Sequence, residues 1–274
     1  MINIRHRAAS ALAALALALS FVPIRAQETA AGNGTKIWIG RAAEMEAYLR
    51  TAEVDRMEGT AVGVTKPRHV FLKPGGPFDQ MAWKVLPPGM YNGYHESYKT
   101  EIAAYEMDKL LELNMVPPTV ERTINGQTGA AVMWINGTKN FKELGGVPTP
   151  PGRMLGLWNR EMVFAKLFDD FIGNSDPNLG NWLKDDEWNI ILIDHSRAFG
   201  TDKTLTHELT RIHKGLWDKM MALTEEQLGV TPLGQLLDKK ELHGIFERRA
   251  AMVKVVDKLV KSKGNAAYLP PDVP

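Results

Sequence analysis

Three side chains in the second half of the chain have the types and spacing to handle a phosphate and a divalent cation. Asp176 is followed five residues later by an amide, Asn181, and Asp194 stands directly after the apolar run Ile190 to Ile193. Carboxylate and amide oxygens suit a hard cation such as Mg2+ or Mn2+. A further carboxylate beside them can orient a hydroxyl nucleophile. Phosphoryl transfer uses this combination, because its catalysis is mostly positioning and charge neutralisation. The same residues would also suit an ordinary hairpin with polar ends, since Asn and Asp are common turn formers. An apolar strand that breaks off at a carboxylate favours the ligand reading.

The spacing predicts how these groups meet. Trp182 to Lys184 and Trp188 to Ile193 read as short strands, and Asp185-Asp186-Glu187 reads as the turn between them. Asn181 and Asp194 then fall opposite each other at the open end, with Cβ atoms roughly 4.5–5.5 Å apart. Asp176 lies on the preceding loop.

A cation must face the phosphates from elsewhere. Lys84 is expected on a strand, and Glu101 in the helix that follows it. A strand lysine held by a helix carboxylate keeps its ammonium fixed against phosphate oxygens. Taken singly, Lys84 could be an edge-strand lysine, and Glu101 could pair with Lys99 or Lys109. The order strand lysine, helix glutamate, acid–amide–acid hairpin carries the argument. Lys73 is a weaker choice, because the turn Pro74-Gly-Gly-Pro77 follows it at once.

These residues need elements to hold them. Arg41 to Arg50 reads as a helix with Met45, Tyr48 and Leu49 on one face. Gly59 to Leu72 reads as two strands broken at Lys66-Pro67, and Gln80 to Leu86 as a third. Ser97 to Leu113 reads as a helix whose apolar face includes Ile102, Ala103, Met107, Leu110 and Leu111. Thr119 to Thr123 and Gly129 to Ile135 form a predicted hairpin around Asn125-Gly126. A connector near Trp134 to Lys142 and the loop Gly145 to Gly152 lead to a helical half. Its predicted helices are Leu155 to Phe171, Leu205 to Leu223, Leu233 to Leu237 and Leu242 to Val260. A strand-rich half before a helix-rich half is a two-lobed α+β plan.

The run Glu96-Ser-Tyr-Lys-Thr-Glu-Ile-Ala-Ala-Tyr-Glu-Met-Asp-Lys-Leu-Leu followed by Asn114-Met-Val-Pro-Pro-Thr-Val resembles the glutamate helix and following strand of atypical kinases. Gly173-Asn-Ser-Asp-Pro-Asn-Leu-Gly-Asn and Ile193-Asp-His-Ser-Arg-Ala-Phe-Gly200 resemble their catalytic and metal-binding segments. The likeness is to the secretory-pathway kinases of the four-jointed and Golgi casein kinase type. It extends at greater distance to HipA-like kinases and phosphatidylinositol 3- and 4-kinases, and covers roughly residues 55 to 260. The resemblance implies a protein-kinase-like fold, with a strand-rich N-lobe over 37–135 and a helical C-lobe over 136–266. It implies ATP with Mg2+ or Mn2+ as cofactors and a protein or glycan hydroxyl as acceptor. By position, Lys84 resembles the phosphate-binding lysine and Glu101 its partner. Asp176 resembles the catalytic aspartate, and Asn181 and Asp194 the metal ligands. Arg197 is placed to bind phosphate, Met133, Trp134 and Ile135 to offer backbone groups to adenine, and Gly63 to approach the phosphates. The chain has no Gly-x-Gly-x-x-Gly loop, and Pro177 and Asn178 stand where relatives carry Arg-His.

Three activities compete. The first is ATP-dependent phosphorylation of a protein or glycan. The second is a pseudokinase that binds nucleotide as a scaffold, suggested by the missing basic residues after Asp176. The third is nucleotidyl transfer on the same fold. A lipid kinase has little local support.

Compartment and charge are legible from composition. Residues 1–26 read as a secretory signal: Arg5 and Arg7, then an Ala- and Leu-rich run too short to span a bilayer, then Ala26 for cleavage. Residues 27–36 read as a flexible leader and 267–274 as a disordered Pro-rich tail. An exported protein is expected, periplasmic or extracellular if bacterial, with no transmembrane anchor after signal removal. Cysteine is absent, which excludes disulfides and zinc–thiolate sites. The whole chain carries +1; Arg5, Arg7 and Arg25 account for +3, so the remainder carries about −2. That balance gives no footprint for nucleic acid. His95, His195, His207 and His213 match no compact ligand motif and read as surface or core residues. Met220-Met221 reads as core, and Glu247-Arg-Arg249 as a solvated helix face.

Overall fold

The computed structural model of the chain describes residues 34–59, 67–176 and 178–270. The signal, residues 27–33 of the leader, the predicted strand residues 60–66 with Gly63, and residues 271–274 of the tail lie outside the described residues.

The first half is built on a five-stranded antiparallel sheet of order β1-β2-β3-β7-β6, formed by Val54–Gly59, Arg68–Leu72, Gln80–Lys84, Gln127–Met133 and Thr119–Ile124. The β6–β7 turn is Asn125-Gly126 with φ of 52° and 76°, the paired left-handed conformation that such a tight turn requires. Helix α1 (Ala42–Thr51) buries Met45 and Leu49 on one sheet face, against Val70, Met81, Trp83, Val120 and Met133. Arg122 of β6 fastens this helix by donating to Leu49 O at 2.8 Å and to Ala52 O. A small hairpin, β4 (Gly89–Tyr91) with β5 (Tyr94–Glu96), leads into helix α2 (Tyr98–Leu111). Ser97 caps α2 by accepting from Lys99 N.

Strand β8 (Thr138–Asn140) joins β9 (Trp182–Asp185) and β10 (Ile190–Leu192) in a second sheet of order β10-β9-β8. The long helix α3 (Leu155–Ile172) runs under it, and α4 (Lys214–Ala222), α5 (Glu225–Gly229), α6 (Leu233–Leu236) and α7 (Lys239–Lys263) complete the helical half. Its core gathers Phe168 and Phe171 of α3, Ile245 and Met252 of α7, Met220 of α4, and Ala103 and Met107 of α2. The plan is the expected one: an antiparallel sheet half and a helical half.

Several local expectations are corrected. The first strand lies at 54–59, earlier than the predicted start at Gly59. The predicted helix Leu205 to Leu223 begins only at Lys214. Upstream, Thr206 and His207 donate their backbone N–H groups to Asp170 Oδ1, at 2.8 and 3.2 Å, and Ile212 pairs with Tyr268 as a parallel bridge. That bridge also corrects the tail: Ala267 is fully buried, and Leu269 N donates to Ile212 O at 2.8 Å. Lys36, assigned to the leader, is buried and pairs with Glu161 of α3 at 3.2 Å. Met220 is core, but Met221 is 41% exposed. Leu110, predicted on the apolar face of α2, is 39% exposed.

Candidate active site

Strand β3 delivers Lys84. Met81 and Trp83 are fully buried against α1, so the alternate residues Gln80, Ala82 and Lys84 point to the other face. There the Lys84 ammonium meets Glu101 Oε1 at 2.5 Å and Asp194 Oδ1 at 2.8 Å. Glu101 lies in the first turn of α2, and its second oxygen accepts the His195 N–H at 3.1 Å. Ser97 N and Thr100 Oγ1 both donate to Ser196 O at 3.0 Å. The start of α2 is therefore stitched to the residues just after Asp194. These bonds hold Asp194 at φ 64°, a left-handed conformation that is uncommon outside glycine.

The charges settle each other. Burial would discharge Lys84, but Asp194 and Glu101 together raise its pKa above the usual lysine value. Burial raises the Glu101 pKa above its usual value despite Lys84. Burial pushes Asp194 the same way, yet the charge and hydrogen bond of Lys84 hold it down at about 2. The pair presented at neutral pH is an ammonium and a carboxylate.

Asp176 sits on the loop after α3. Its N–H donates to Asn174 Oδ1 at 3.2 Å, and Asn174 Nδ2 donates to Asp169 Oδ1 at 3.2 Å. Asp169 Oδ2 also accepts from Trp182 Nε1 at 3.1 Å and lies 3.3 Å from His207 Nε2. Asp169 and Asp170 occupy a helix C-terminus, which disfavours acids; their place is explained by the loops they anchor. Burial, then Asp194 and Glu96, push the Asp176 carboxyl up, against the pull of Arg197. Arg197 Nη1 is 3.7 Å from Asp176 Oδ2.

Asn181 Nδ2 donates to the Asp176 carbonyl at 3.4 Å. The hairpin register differs from the expectation by one residue. Ile190, Ile191 and Leu192 pair with Lys184, Leu183 and Trp182, and Ile193 N donates to Asn181 O at 3.0 Å. Asn181 therefore faces Ile193, and Asp194 lies one step beyond the ladder in its left-handed turn. Trp188 belongs to the turn, at φ 68°, not to the strand.

Most of the remaining candidates lie apart from this cluster. Lys73 pairs with Glu53 at 2.5 Å on the surface, which removes the rival lysine. In the connector, Met133 N donates to Pro118 O and Trp134 N to Gln80 O, so those two donors are engaged in the sheet. Trp134 stacks on His69 with centroids 4.1 Å apart. His195 is buried, and desolvation lowers its pKa to about 4. His213 caps α4, and His95 lies on β5. Among the described residues no group of three His, Cys, Asp or Glu side chains forms a metal-binding cluster.

The donor set still fits a hard cation shared with a nucleotide. Among the described residues, the second carboxylate oxygen of Asp194 and the amide oxygen of Asn181 carry no hydrogen bond. Mg2+ ordinarily takes one or two protein carboxylates, with phosphates and waters completing its shell.

Sequence reasoning missed Glu96, Tyr94, Asp169, Asn174 and Arg248. Arg248 was read as part of a solvated face. It is fully buried and donates to Phe171 O at 3.3 Å, Ile172 O at 3.1 Å, Asp202 O at 3.3 Å and Gly200 O. It thereby ties the end of α3 to the segment after Asp194. Adjacent acids at the end of an apolar helix were the available signal for Asp169. Asn92-Gly93, the same dipeptide as the turn at 125–126, was the signal for the β4–β5 hairpin.

No protein-family model matches the chain, and no curated protein matches it in sequence. Solved structures do match. Hydra Fam20 with sugar superposes with a TM-score of 0.62 at 15% identity, over 85% of this chain and 93% of that one. The Golgi casein kinase superposes at 0.58 and 15%, over 84% and 80%. Its Mn/ADP-bound form superposes at 0.60 and 16%, over 85% and 80%. At such identities the likeness speaks for the fold, and the chain has the two-lobed fold of the Fam20 and Golgi casein kinase structures.

Proposed function

We propose that this chain is an ATP-dependent, metal-dependent phosphotransferase that phosphorylates a hydroxyl on a protein or glycan. The observation that carries the reading is the convergence of Lys84 with Glu101 at 2.5 Å and Asp194 at 2.8 Å, from strand, helix and hairpin. Lys84 would neutralise nucleotide phosphate oxygens, and Glu101 would fix its ammonium. Asp194 and Asn181 would hold Mg2+ or Mn2+, which when bound would neutralise charge on the nucleotide phosphates. Asp176 would orient the acceptor hydroxyl and take its proton as the hydroxyl oxygen bonds to the γ-phosphorus. The bond to the ADP oxygen then breaks, and ADP leaves with the electron pair. Raised by its surroundings, the Asp176 carboxylate is a stronger base than an exposed aspartate. The Mn/ADP complex of a similarly folded Golgi casein kinase supports the choice of cofactors. Export through the secretory pathway belongs to the same proposal. Among the described residues no helix is long and apolar enough to cross a membrane.

A nucleotide-binding scaffold is the second reading, favoured by Pro-Asn-Leu-Gly between Asp176 and Asn181, which supplies no cation. The purified chain is incubated with γ-labelled ATP, Mn2+ and extracellular or envelope extracts. Label transfer lost in Asp194→Ala and Lys84→Ala supports the enzyme. Nucleotide binding without turnover supports the scaffold. A product heavier by a whole nucleotide indicates nucleotidyl transfer.

A further inference from the structure

We propose that the β4–β5 hairpin holds Arg197 beside Asp176, and that this guanidinium supplies the acceptor-side cation missing from the loop between Asp176 and Asn181. The inference rests on the phosphotransfer reading and adds Glu96 and Tyr94 to the site as positioning residues.

Transfer to a hydroxyl brings phosphoryl oxygens towards Asp176 and Asp194, so an uncompensated site would repel its own substrate. Lys84 stands beside Asp194, and among the described residues Arg197 is the cation beside Asp176. Its Nε and Nη2 donate to Glu96 Oε1 at 2.8 and 2.7 Å. Its guanidinium carbon lies 4.2 Å from the centre of the Tyr94 ring. A fork bonded along one side and stacked on one face has little rotational freedom, and its third nitrogen is aimed by that grip. Nη1 stops 3.7 Å from Asp176 Oδ2, beyond hydrogen-bonding distance, so among the described residues its two N–H groups remain available to an incoming oxygen. The backbone reinforces the placement, since Ser175 Oγ donates to Arg197 O at 3.2 Å.

Glu96 is the other half of the device. It is fully buried and, among the described residues, its second oxygen has no hydrogen-bond partner and Arg197 is the cation that compensates its charge. It cannot swing away, because the next residue is the α2 cap whose N–H donates to Ser196 O. Tyr94 is 49% exposed and Met90 is 68% exposed, so the hairpin that carries this grip also faces solvent. An acceptor approaching Asp176 from the hairpin side would meet Tyr94 and the free Nη1 together.

The test is Mn2+-dependent phosphate release from ATP with water as acceptor, alongside nucleotide affinity. Arg197→Ala is expected to lower kcat about 100-fold, as loss of one fixed donor does, with nucleotide affinity within about twofold. Free guanidinium ion should restore part of the rate to this variant and none to Asp176→Asn. Tyr94→Leu should lower kcat in the same direction by a smaller factor. Because Arg197→Ala strands a buried Glu96, the Arg197→Ala/Glu96→Gln double variant is assayed too and should be as slow. Wild-type rates in the Arg197 variants, or a rate loss matched by loss of nucleotide affinity, would overturn the inference while leaving phosphotransfer intact. A wild-type chain that binds nucleotide and releases no phosphate overturns both.

Discussion

Replacing Lys84 with methionine tests the ion-pair geometry through stability, independently of catalysis. The stem is conserved in size, but the ammonium between two carboxylates is gone. Glu101, 3% exposed, and Asp194 Oδ1 then lose the cation at 2.5 and 2.8 Å. Removing one partner of a buried pair costs ~3–5 kcal/mol. The Asp194 side chain keeps 36% of its exposure, so the low end, ~3 kcal/mol, applies. At ~2–4 °C per kcal/mol for a domain of this size, the melting midpoint should fall by ~6–12 °C. The sign of the pH dependence follows from Glu101. Its folded pKa is raised even with Lys84 present, and without the lysine it rises further. A raised folded pKa gives stability that is present at low pH and lost as pH rises. The gap between variant and wild type should therefore narrow from pH 8 to pH 5. Lys84→Met/Glu101→Gln removes the buried carboxylate charge as well and should regain ~2 kcal/mol, the size of coupling expected between contacting groups. Thermal melts by circular dichroism measure all of this. A pH-independent gap, or a double variant no more stable than the single, would refute the reasoning.

Three further outcomes follow from the same contacts. Asp176→Asn should lower phosphate release by ~10²–10⁴-fold and leave nucleotide affinity unchanged, since only proton transfer and hydroxyl orientation are lost; paired turnover and calorimetric measurements check this. Arg248→Met removes a donor from the buried Phe171 and Ile172 carbonyls and from the part-buried Gly200 and Asp202 carbonyls. At ~1–3 kcal/mol for each unsatisfied group, partly relieved by relaxation, the loss should be at least ~3 kcal/mol, with faster amide exchange across residues 199–202. In the wild type, Lys84 holds the folded Asp194 pKa down at about 2, below the roughly 3.9 of a free aspartate, so its contribution is present above about pH 4 and lost as pH falls through about 2. Asp194→Asn should flatten the acid limb of the stability profile in that window.

The long-range logic of the site was legible because it rests on order along the chain. A lysine on a strand, a glutamate in the helix that follows it, and a carboxylate after Ile190–Ile193 fix which elements must meet. Helices α1, α2 and α3 and the β6–β7 hairpin were legible from local signals: the spacing of apolar residues and Asn-Gly. What escaped was decided by distant partners. The segment before α4 has an apolar pattern, but Asp170 and Tyr268 claim its backbone. The hairpin register depended on where Asp194 leaves the ladder, a backbone choice stabilised by α2 and invisible in local spacing. Arg248 sits in a charged run that pattern alone assigns to solvent, and only the carbonyls at the end of α3 explain its burial. Glu96 and Arg197, about 100 residues apart, carry no mutual signal in one sequence.

Manganese anomalous scattering from crystals grown with Mn2+ and a non-hydrolysable ATP analogue addresses the site directly. A peak within coordination distance of Asp194 and Asn181, with the Lys84 ammonium turned onto a phosphate oxygen, is the predicted result. Ordered analogue bound elsewhere, or no manganese between those two residues, would contradict the assignment of this cluster as a phosphotransfer centre.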